Sequence, residues 1–279
     1  QGFEKEVCQS VSEHYLPIGV DSRVPKNLYS ITLSLSDKLD TLVGFFGLDL
    51  IPTGSRDPYA LRRFTIALVR LIIENKIRIK LRSIISYSLT LYKEQGFEFD
   101  ITKVLKELNT FILDRLKNYS KEKDIRSDII ESSILSNDMD ELYNGYKKAE
   151  VLNKNIKKDL GQDVVEIYKR SFNILNSEIN KNKLELSNSV DTGLFKNDFE
   201  KNLYKKTQEI KKYFLNIGKN DDFEESLKEL FKFKQDVNLF FDNVIVNDEN
   251  ELIKKNRLEL LNLLCKSFNN FFNFSKIEG

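Results

Sequence analysis

The distribution of proline is the sequence feature that most constrains the fold of this chain. All four prolines lie before residue 59, so the stretch from residue 59 to residue 279 contains none. Proline breaks helix interiors, because its ring removes a backbone donor and clashes with the preceding turn. Apolar residues make up 41% of the chain, as in globular proteins. A long stretch without proline and with helical apolar spacing therefore predicts an all-α fold.

Apolar residues recur at helical spacing along most of the chain. This spacing predicts helices over residues 28–46, 57–75, 101–118, 139–158, 163–180, 199–216, 221–243 and 249–274, with a further one starting near residue 84. Asp57 and Pro58 are typical of an N-cap and a first helical position. Residues 77–82 alternate between apolar and basic, and this period of two predicts a short extended segment or strand.

The window from Arg56 to Arg82 carries a local surplus of positive charge. It holds eight basic and two acidic residues, whereas the whole chain has a formal net charge of +1. Binding to a phosphate backbone needs such a surplus. A solvated basic face without a ligand explains the charge equally well. The predicted phosphate contacts in this window are Arg56, Arg62, Arg63, Arg70 and Arg78.

A second basic segment lies in the predicted helix 163–180. Lys169 and Arg170 precede Phe172 there, and this mixture of cations and aromatic rings can bind phosphates and unstacked bases. Helical spacing favours a core position for Phe172 and Leu175. Lys169 and Arg170 remain candidates both for RNA contact and for plain solvent exposure.

Asp37 and Asp40 are candidates for metal ligands or for an acid–base pair. The favoured alternative is a solvated face on which Lys38 partly balances them, because His14 is the chain's single histidine. We expect His14 to make a hydrogen bond at the surface. The chain has no glycine-rich phosphate loop, no nucleophile elbow and no adenylation motif, so the sequence predicts no catalytic residue and no metal site.

Arg257 falls inside the apolar arc of the last predicted helix. An unpaired buried charge is costly, so we expect a structural ion pair, with Asp242 or Asp248 as the partner. Cys8 and Cys265 lie far apart in sequence, which indicates reduced thiols in a cytoplasmic protein. No apolar run approaches the roughly 20 residues of a membrane span, so we expect no membrane contact.

Seven motifs, in one order, resemble a single family. They are HYLP (14–17), LSDKLDTLVGFFGL (35–48), DPYALRR (57–63), FILDRLKNY (111–119), KRSFNIL (169–175), FFDNVIVN (240–247) and NRLELLNLL (256–264). Each motif alone is weak, but the ordered set resembles the β subunit of the bacterial glycine–tRNA ligase. Because the chain opens without Met, inside an amphipathic pattern, we interpret it as a C-terminal fragment of such a subunit.

The resemblance implies a fold and a function. Residues 1–120 are similar to the C-terminal portion of an HD-like helical domain, in which Asp37 takes a vestigial HD-type position. A helical connector (121–160) leads to a DALR-type anticodon-binding helical bundle (161–279). The implied partners are tRNA-Gly and the ligase α subunit, in an α2β2 tetramer. The α subunit would use ATP, glycine and Mg²⁺, and this fragment would need no cofactor.

Two other functions stay open at this point. The chain could be the remnant of an HD-like metal phosphohydrolase with Asp37 as a ligand, although its single histidine argues against that chemistry. It could also be a helical scaffold for protein partners, which predicts a large exposed apolar patch and no salt-dependent affinity for RNA.

Overall fold

The computed structural model describes residues 2–19, 21–134, 138–187, 189–216 and 222–278. Within these ranges the regular structure is helical, and the β contact found there is one isolated bridge between Thr53 and Arg56. The prediction of an all-α fold is confirmed. The chain divides into two compact units, residues 1–130 with 136–146 and residues 131–135 with 147–279. Residues 121–160 contribute to both units, and the domain boundaries near residues 120 and 160 stay predictions.

The helices follow one another with short connections. The first unit contains α1 (Lys5–Glu13), α2 (Leu28–Gly47), α3 (Leu61–Glu74), α4 (Leu81–Glu94) and α5 (Ile101–Lys121). Residues of both units form α6 (Ser127–Ser133) and α7 (Leu142–Asn155). The second unit contains α8 (Asp159–Asn182), α9 (Asp198–Asn216), α10 (Phe223–Phe231), α11 (Phe233–Asn243) and α12 (Glu251–Asn269).

Most predicted helices are present, and the errors have local causes. Of the short extended segment or strand predicted over residues 77–82, residues 77–80 are an irregular segment and not a strand, and residues 81–82 belong to α4, which begins at Leu81. The predicted helix 221–243 is interrupted at Lys232, which separates α10 from α11. Its first predicted residue, 221, lies outside the described residues. The predicted helix 249–274 ends earlier, at Asn269, and a short 3-10 turn follows over Phe274–Lys276.

The start of α3 differs from the prediction. Pro58 and Tyr59 form a turn, Ala60 adopts a left-handed conformation with φ of 57°, and the helix begins only at Leu61. The prediction of Asp57 as the N-cap residue and of Pro58 at the first helical position is therefore wrong, because Ala60 takes the N-cap position. The Asp57 carboxylate nevertheless accepts hydrogen bonds from the backbone N–H groups of Leu61 (2.8 Å) and Arg62 (3.0 Å) across the extra turn.

Helix α2 is the centre of the first unit. It packs against α1, α3, α4 and α5. Leu42, Val43 and Phe46 are almost completely buried along it. Helix α3 is apolar on most sides and packs against both α2 and α5, as a central helix must.

Aromatic rings form the core of the second unit. Phe268 of α12 and Phe274 after it pack around Tyr168 of α8, with ring centroids 5.6 to 6.2 Å from the Tyr168 ring. Phe271 stacks on Phe214 of α9 at 4.9 Å. Aromatic pairs at these separations add to the stabilisation that burial alone provides.

Polar side chains of α12 contact α9, the loop before α12 and the segment between α8 and α9. Arg257 is 6% exposed, and its guanidinium donates to Glu200 (2.7 Å), to Asp248 (2.6 Å) and to the carbonyl of Ile245 (2.9 Å). Asn256 exchanges hydrogen bonds with the backbone of Asp191. The predicted ion pair with Asp248 is confirmed, and Glu200 is a second partner that the sequence did not identify.

We expect the Arg257→Leu substitution to destabilise the second unit by about 3–5 kcal/mol, because it leaves the buried Glu200 carboxylate without its cation. Urea unfolding followed by circular dichroism measures the loss, and amide hydrogen exchange in α9 and α12 assigns it to this unit.

Lys255→Leu is the matched control, because Lys255 is exposed on the same helix. Its effect should stay within about 0.5 kcal/mol, as for most surface substitutions. Equal stabilities for the two variants would show that the ion pair of Arg257 is not needed for the fold.

Candidate functional site

Arg62 and Arg63 lie in the first turn of α3, and Arg56 lies in the turn that precedes the helix. The Arg62 guanidinium donates to the carbonyl oxygens of Gly54 (2.6 Å) and Arg56 (3.4 Å), which holds the preceding turn against the helix. Arg56 and Arg63 are exposed. Among the described residues, the Arg63 guanidinium has no hydrogen-bond or ion-pair partner. These three residues therefore form one basic cluster.

Arg70 has a different environment from the basic cluster. Its side chain is 9% exposed and forms an ion pair with Glu74 at 2.7 Å. Its second nitrogen donates to the carbonyl of Gly19 at 2.6 Å. Arg70 therefore fixes the loop after α1 against α3, and its guanidinium does not face the same surroundings as that of Arg63. Arg78 is exposed on the irregular segment before α4.

Lys38 is buried beside the predicted HD-type position. It is 2% exposed, so the expectation that it balances Asp37 and Asp40 on a solvated face is wrong for Lys38. Its ammonium group donates to Ser34 Oγ (2.8 Å) and to the carbonyl oxygens of His14 (3.1 Å) and Tyr15 (3.4 Å). Burial lowers the pKa of Lys38 to about 8, and the charge of Asp37 partly opposes this shift.

The carboxylates of α2 do not come together with other metal-binding side chains. Asp37 is partly exposed and Asp40 is exposed, and Asp40 Oδ1 accepts a hydrogen bond from Ser88 at 3.4 Å. In the part of the chain that the structure describes, no group of three His, Cys, Asp or Glu side chains could hold a metal ion. His14 Nδ1 donates to the carbonyl of Val11 at 2.6 Å, and this confirms the predicted surface hydrogen bond.

In the second unit, Arg170 stacks on an aromatic ring. Its guanidinium carbon lies 4.3 Å from the centroid of the Phe241 ring, which α11 contributes. Arg170 is exposed and Lys169 of the same helix is half-buried. Leu175 is buried, which confirms its predicted core position, whereas Phe172 is half-buried and stacks on Tyr168 at 5.7 Å. A guanidinium held over a ring offers a ligand both its charge and its planar group.

Two features of these surfaces were not found from the sequence. Phe241 lies 71 positions after Arg170 in the chain, and no local pattern links the two. The burial of Lys38 depends on the loop after α1 folding over α2. The one feature of the sequence that could have indicated its burial is that Lys38 lies next to the apolar stripe of α2.

Two family models match the chain. The model described as glycyl-tRNA synthetase beta subunit matches residues 1–135, and the model described as DALR anticodon binding domain matches residues 164–278. The second match confirms the predicted DALR-type bundle. The HD-like character of the first part stays a prediction.

Similar proteins include beta subunits of glycine–tRNA ligase from two bacteria. The protein from Cereibacter sphaeroides is 31% identical over 278 residues, which cover 100% of this chain and 40% of that protein. The protein from Ruegeria sp. is 30% identical over 278 residues, which cover 100% of this chain and 39% of that protein. The chain therefore spans about 40% of the length of the curated relatives that it matches.

We expect the ammonium group of Lys38 to titrate with a midpoint near pH 8, well below the usual pKa of about 10.4 for an exposed lysine. The carbon chemical shift of its Cε, followed by NMR, measures this midpoint. Between pH 8 and about 10.5 the unfolded chain holds the proton that folded Lys38 has lost. The contribution of this group to the free energy of unfolding should therefore rise with pH in that window.

The Lys38→Met variant isolates that contribution, since all other titrating groups are shared. The wild-type protein should gain stability relative to the variant as the pH rises from 8 towards 10.5. A difference in stability that does not change with pH would contradict the burial of a charged Lys38.

Proposed function

Because this chain belongs to the family of glycyl-tRNA synthetase beta subunits, we propose that it binds tRNA-Gly and positions it for aminoacylation. In this proposal the second unit contacts the anticodon stem and loop, and the basic cluster of the first unit contacts phosphates. The single observation that carries the proposal is the Arg170–Phe241 stack, which lies inside the match to the anticodon-binding domain.

The Arg170–Phe241 stack has the chemistry that an unpaired base requires. Single-stranded RNA is bound where bases stack on aromatic rings or on guanidinium planes, with cations near the backbone. Arg170 provides the plane and the charge, and Phe241 holds that plane in place. Lys169, at the preceding position of α8, is half-buried and adds a second cation one residue away along the helix.

The basic cluster supplies the phosphate contact in the proposal. Arg56 and Arg63 are exposed, so they are accessible to a polyanion. Arginine binds phosphate well because its fork of N–H donors matches the phosphate oxygens. Arg62 and Arg70 have structural hydrogen bonds of their own, and Arg78 extends the basic surface towards α4.

The chemistry of aminoacylation is assigned to another subunit in this proposal. The partner is the ligase α subunit in an α2β2 tetramer, which uses ATP, glycine and Mg²⁺ in the cytoplasm. Among the described residues, no group of three His, Cys, Asp or Glu side chains could hold a metal ion. None of the described helices is long and apolar enough to cross a bilayer.

We expect Arg170→Ala to weaken the binding of tRNA-Gly by about 1–3 kcal/mol, because one stacked base loses its platform. Arg170→Lys is the matched control, since it keeps the charge and removes the plane. Its affinity should fall nearly as far while the dependence on salt stays that of the wild type. Binding to tRNA-Gly and to an unrelated tRNA across a salt series measures both quantities.

We expect Arg63→Glu to weaken binding to both tRNAs and to lower the slope of log affinity against log salt by about one for the lost phosphate contact. Lys106→Glu, an exposed charge reversal on α5, serves as the control. If the wild-type chain binds neither tRNA at low salt, or if Arg170→Ala and Arg63→Glu both bind as the wild type does, the proposal is wrong.

A further inference from the structure

A groove beside the first turn of α3 is lined by Arg62 and Arg63 of the basic cluster and extends beyond them to Lys38 and an apolar wall. It consists of two adjoining cavities of about 230 and 140 Å³, which share Pro17, Arg63 and Ala67 in their walls. Together they reach the lower end of the range of about 300–1,000 Å³ that small-molecule sites occupy. The groove lies wholly within the first unit, between the loop after α1 and helices α2 and α3.

The charge in the groove is of one sign. Lys38 and Arg63 line the larger cavity, Arg62 and Arg63 line the smaller one, and no carboxylate lines either. Among the described residues, Lys38 and Arg62 donate to neutral oxygens, and neither has a carboxylate within ion-pair distance. The Asp37 carboxylate acts on Lys38 but lines neither cavity, so the groove wall presents three cations and no anion, and such a wall attracts a negatively charged ligand.

Lys38 and Arg63 would interact with a bound anion in different ways. All three N–H donors of the Lys38 ammonium already have acceptors, so Lys38 contributes its charge to the groove rather than a direct hydrogen bond. The Arg63 guanidinium is exposed and without a partner among the described residues. Arg63 is therefore the group that can bind an anionic oxygen directly, with two parallel hydrogen bonds.

The remaining walls are apolar and partly aromatic. Phe64 lies against Lys38, with the ammonium group 5.9 Å from the ring centroid. Tyr15 and Ile18 line the same cavity and are 64% and 63% exposed, so they offer uncovered apolar surface. A ligand that combines a flat ring with an anionic group would cover these side chains and neutralise the cations.

We propose that this groove binds a single nucleotide, with its phosphate on Arg63 and its base against the apolar wall formed by Tyr15, Ile18 and Phe64. The nucleotide is either free in solution or the unpaired end of an RNA strand, since both present the same chemistry. The proposal does not rest on the proposed tRNA-binding function, because a free mononucleotide tests it directly.

Calorimetric titration of the intact chain with AMP, adenosine and inorganic phosphate tests the proposal. AMP should bind at least about ten-fold more tightly than adenosine or phosphate, because only AMP fills both parts of the groove. Arg63→Ala should raise the dissociation constant for AMP at least about ten-fold. Phe64→Leu should reduce the advantage of AMP over inorganic phosphate, and circular dichroism checks that each variant is folded.

Lys106→Ala is the control, because it removes one exposed cation of the same unit that does not line the groove. Absence of saturable AMP binding up to roughly 10 mM overturns the proposal. Equal affinities of AMP for the Arg63→Ala and Lys106→Ala variants overturn it as well, since binding would then lie elsewhere.

Competition identifies the source of the nucleotide. If an RNA hairpin with an unpaired 3′ end displaces AMP and the same hairpin with a blunt end does not, the groove binds an RNA end. If neither RNA displaces AMP, the groove binds a free nucleotide. Failure of AMP to bind leaves the tRNA experiments with Arg170 variants unaffected, so the two proposals fail separately.

Discussion

Three cations that lie inside the helical packing, Lys38, Arg70 and Arg257, require oxygen partners, and this requirement holds the loops of both units in place. Lys38 is satisfied by the carbonyls of His14 and Tyr15, and Arg70 by that of Gly19 and by the Glu74 carboxylate. Arg257 takes oxygen atoms from residues 245, 248 and 200. A buried cation without such partners would destabilise the fold by several kcal/mol. Because backbone carbonyls of loop residues supply some of these partners, each of the three cations fixes a loop against its helix.

The presence or absence of such oxygen partners distinguishes cations with a structural role from cations that a ligand can reach. Arg63 and Arg70 lie on one helix two turns apart, yet one guanidinium is exposed and the other is enclosed by an acid and a carbonyl. Net charge along the sequence cannot make this distinction. The positive surface of the first unit is consequently smaller than its count of basic residues indicates. In the basic window its exposed members lie before and at the start of α3 (Arg56, Arg63) and after its end (Lys76, Arg78, Lys80, Arg82).

Local chemistry made much of the fold predictable from the sequence. Helical spacing predicted the bounds of α2 to within one residue. The ion pair of Arg257 with Asp248 was predictable because Arg257 lies inside the apolar arc of its helix, where a charge needs a partner. The alternation at residues 77–82 misled, because six residues without a partner strand do not make a sheet. Glu200, the cover over Lys38 and the ring beneath Arg170 escaped prediction, since each contact joins residues that are distant in sequence and depends on tertiary packing.

The polar and aromatic partners of the second unit also have an order along the chain. Glu200 of α9 is completely buried, and the other two side chains of its ion-pair network, Asp248 and Arg257, follow it in the sequence. The rings of Phe268 and Phe274, which pack on Tyr168 of α8, also come later in the chain. During synthesis on the ribosome, α8 and α9 therefore emerge before the residues that complete their core. Until α12 has left the exit tunnel, Tyr168 and Glu200 lack the rings and the cation that cover them in the folded unit, and incompletely folded chains with such exposed apolar surface are prone to aggregate.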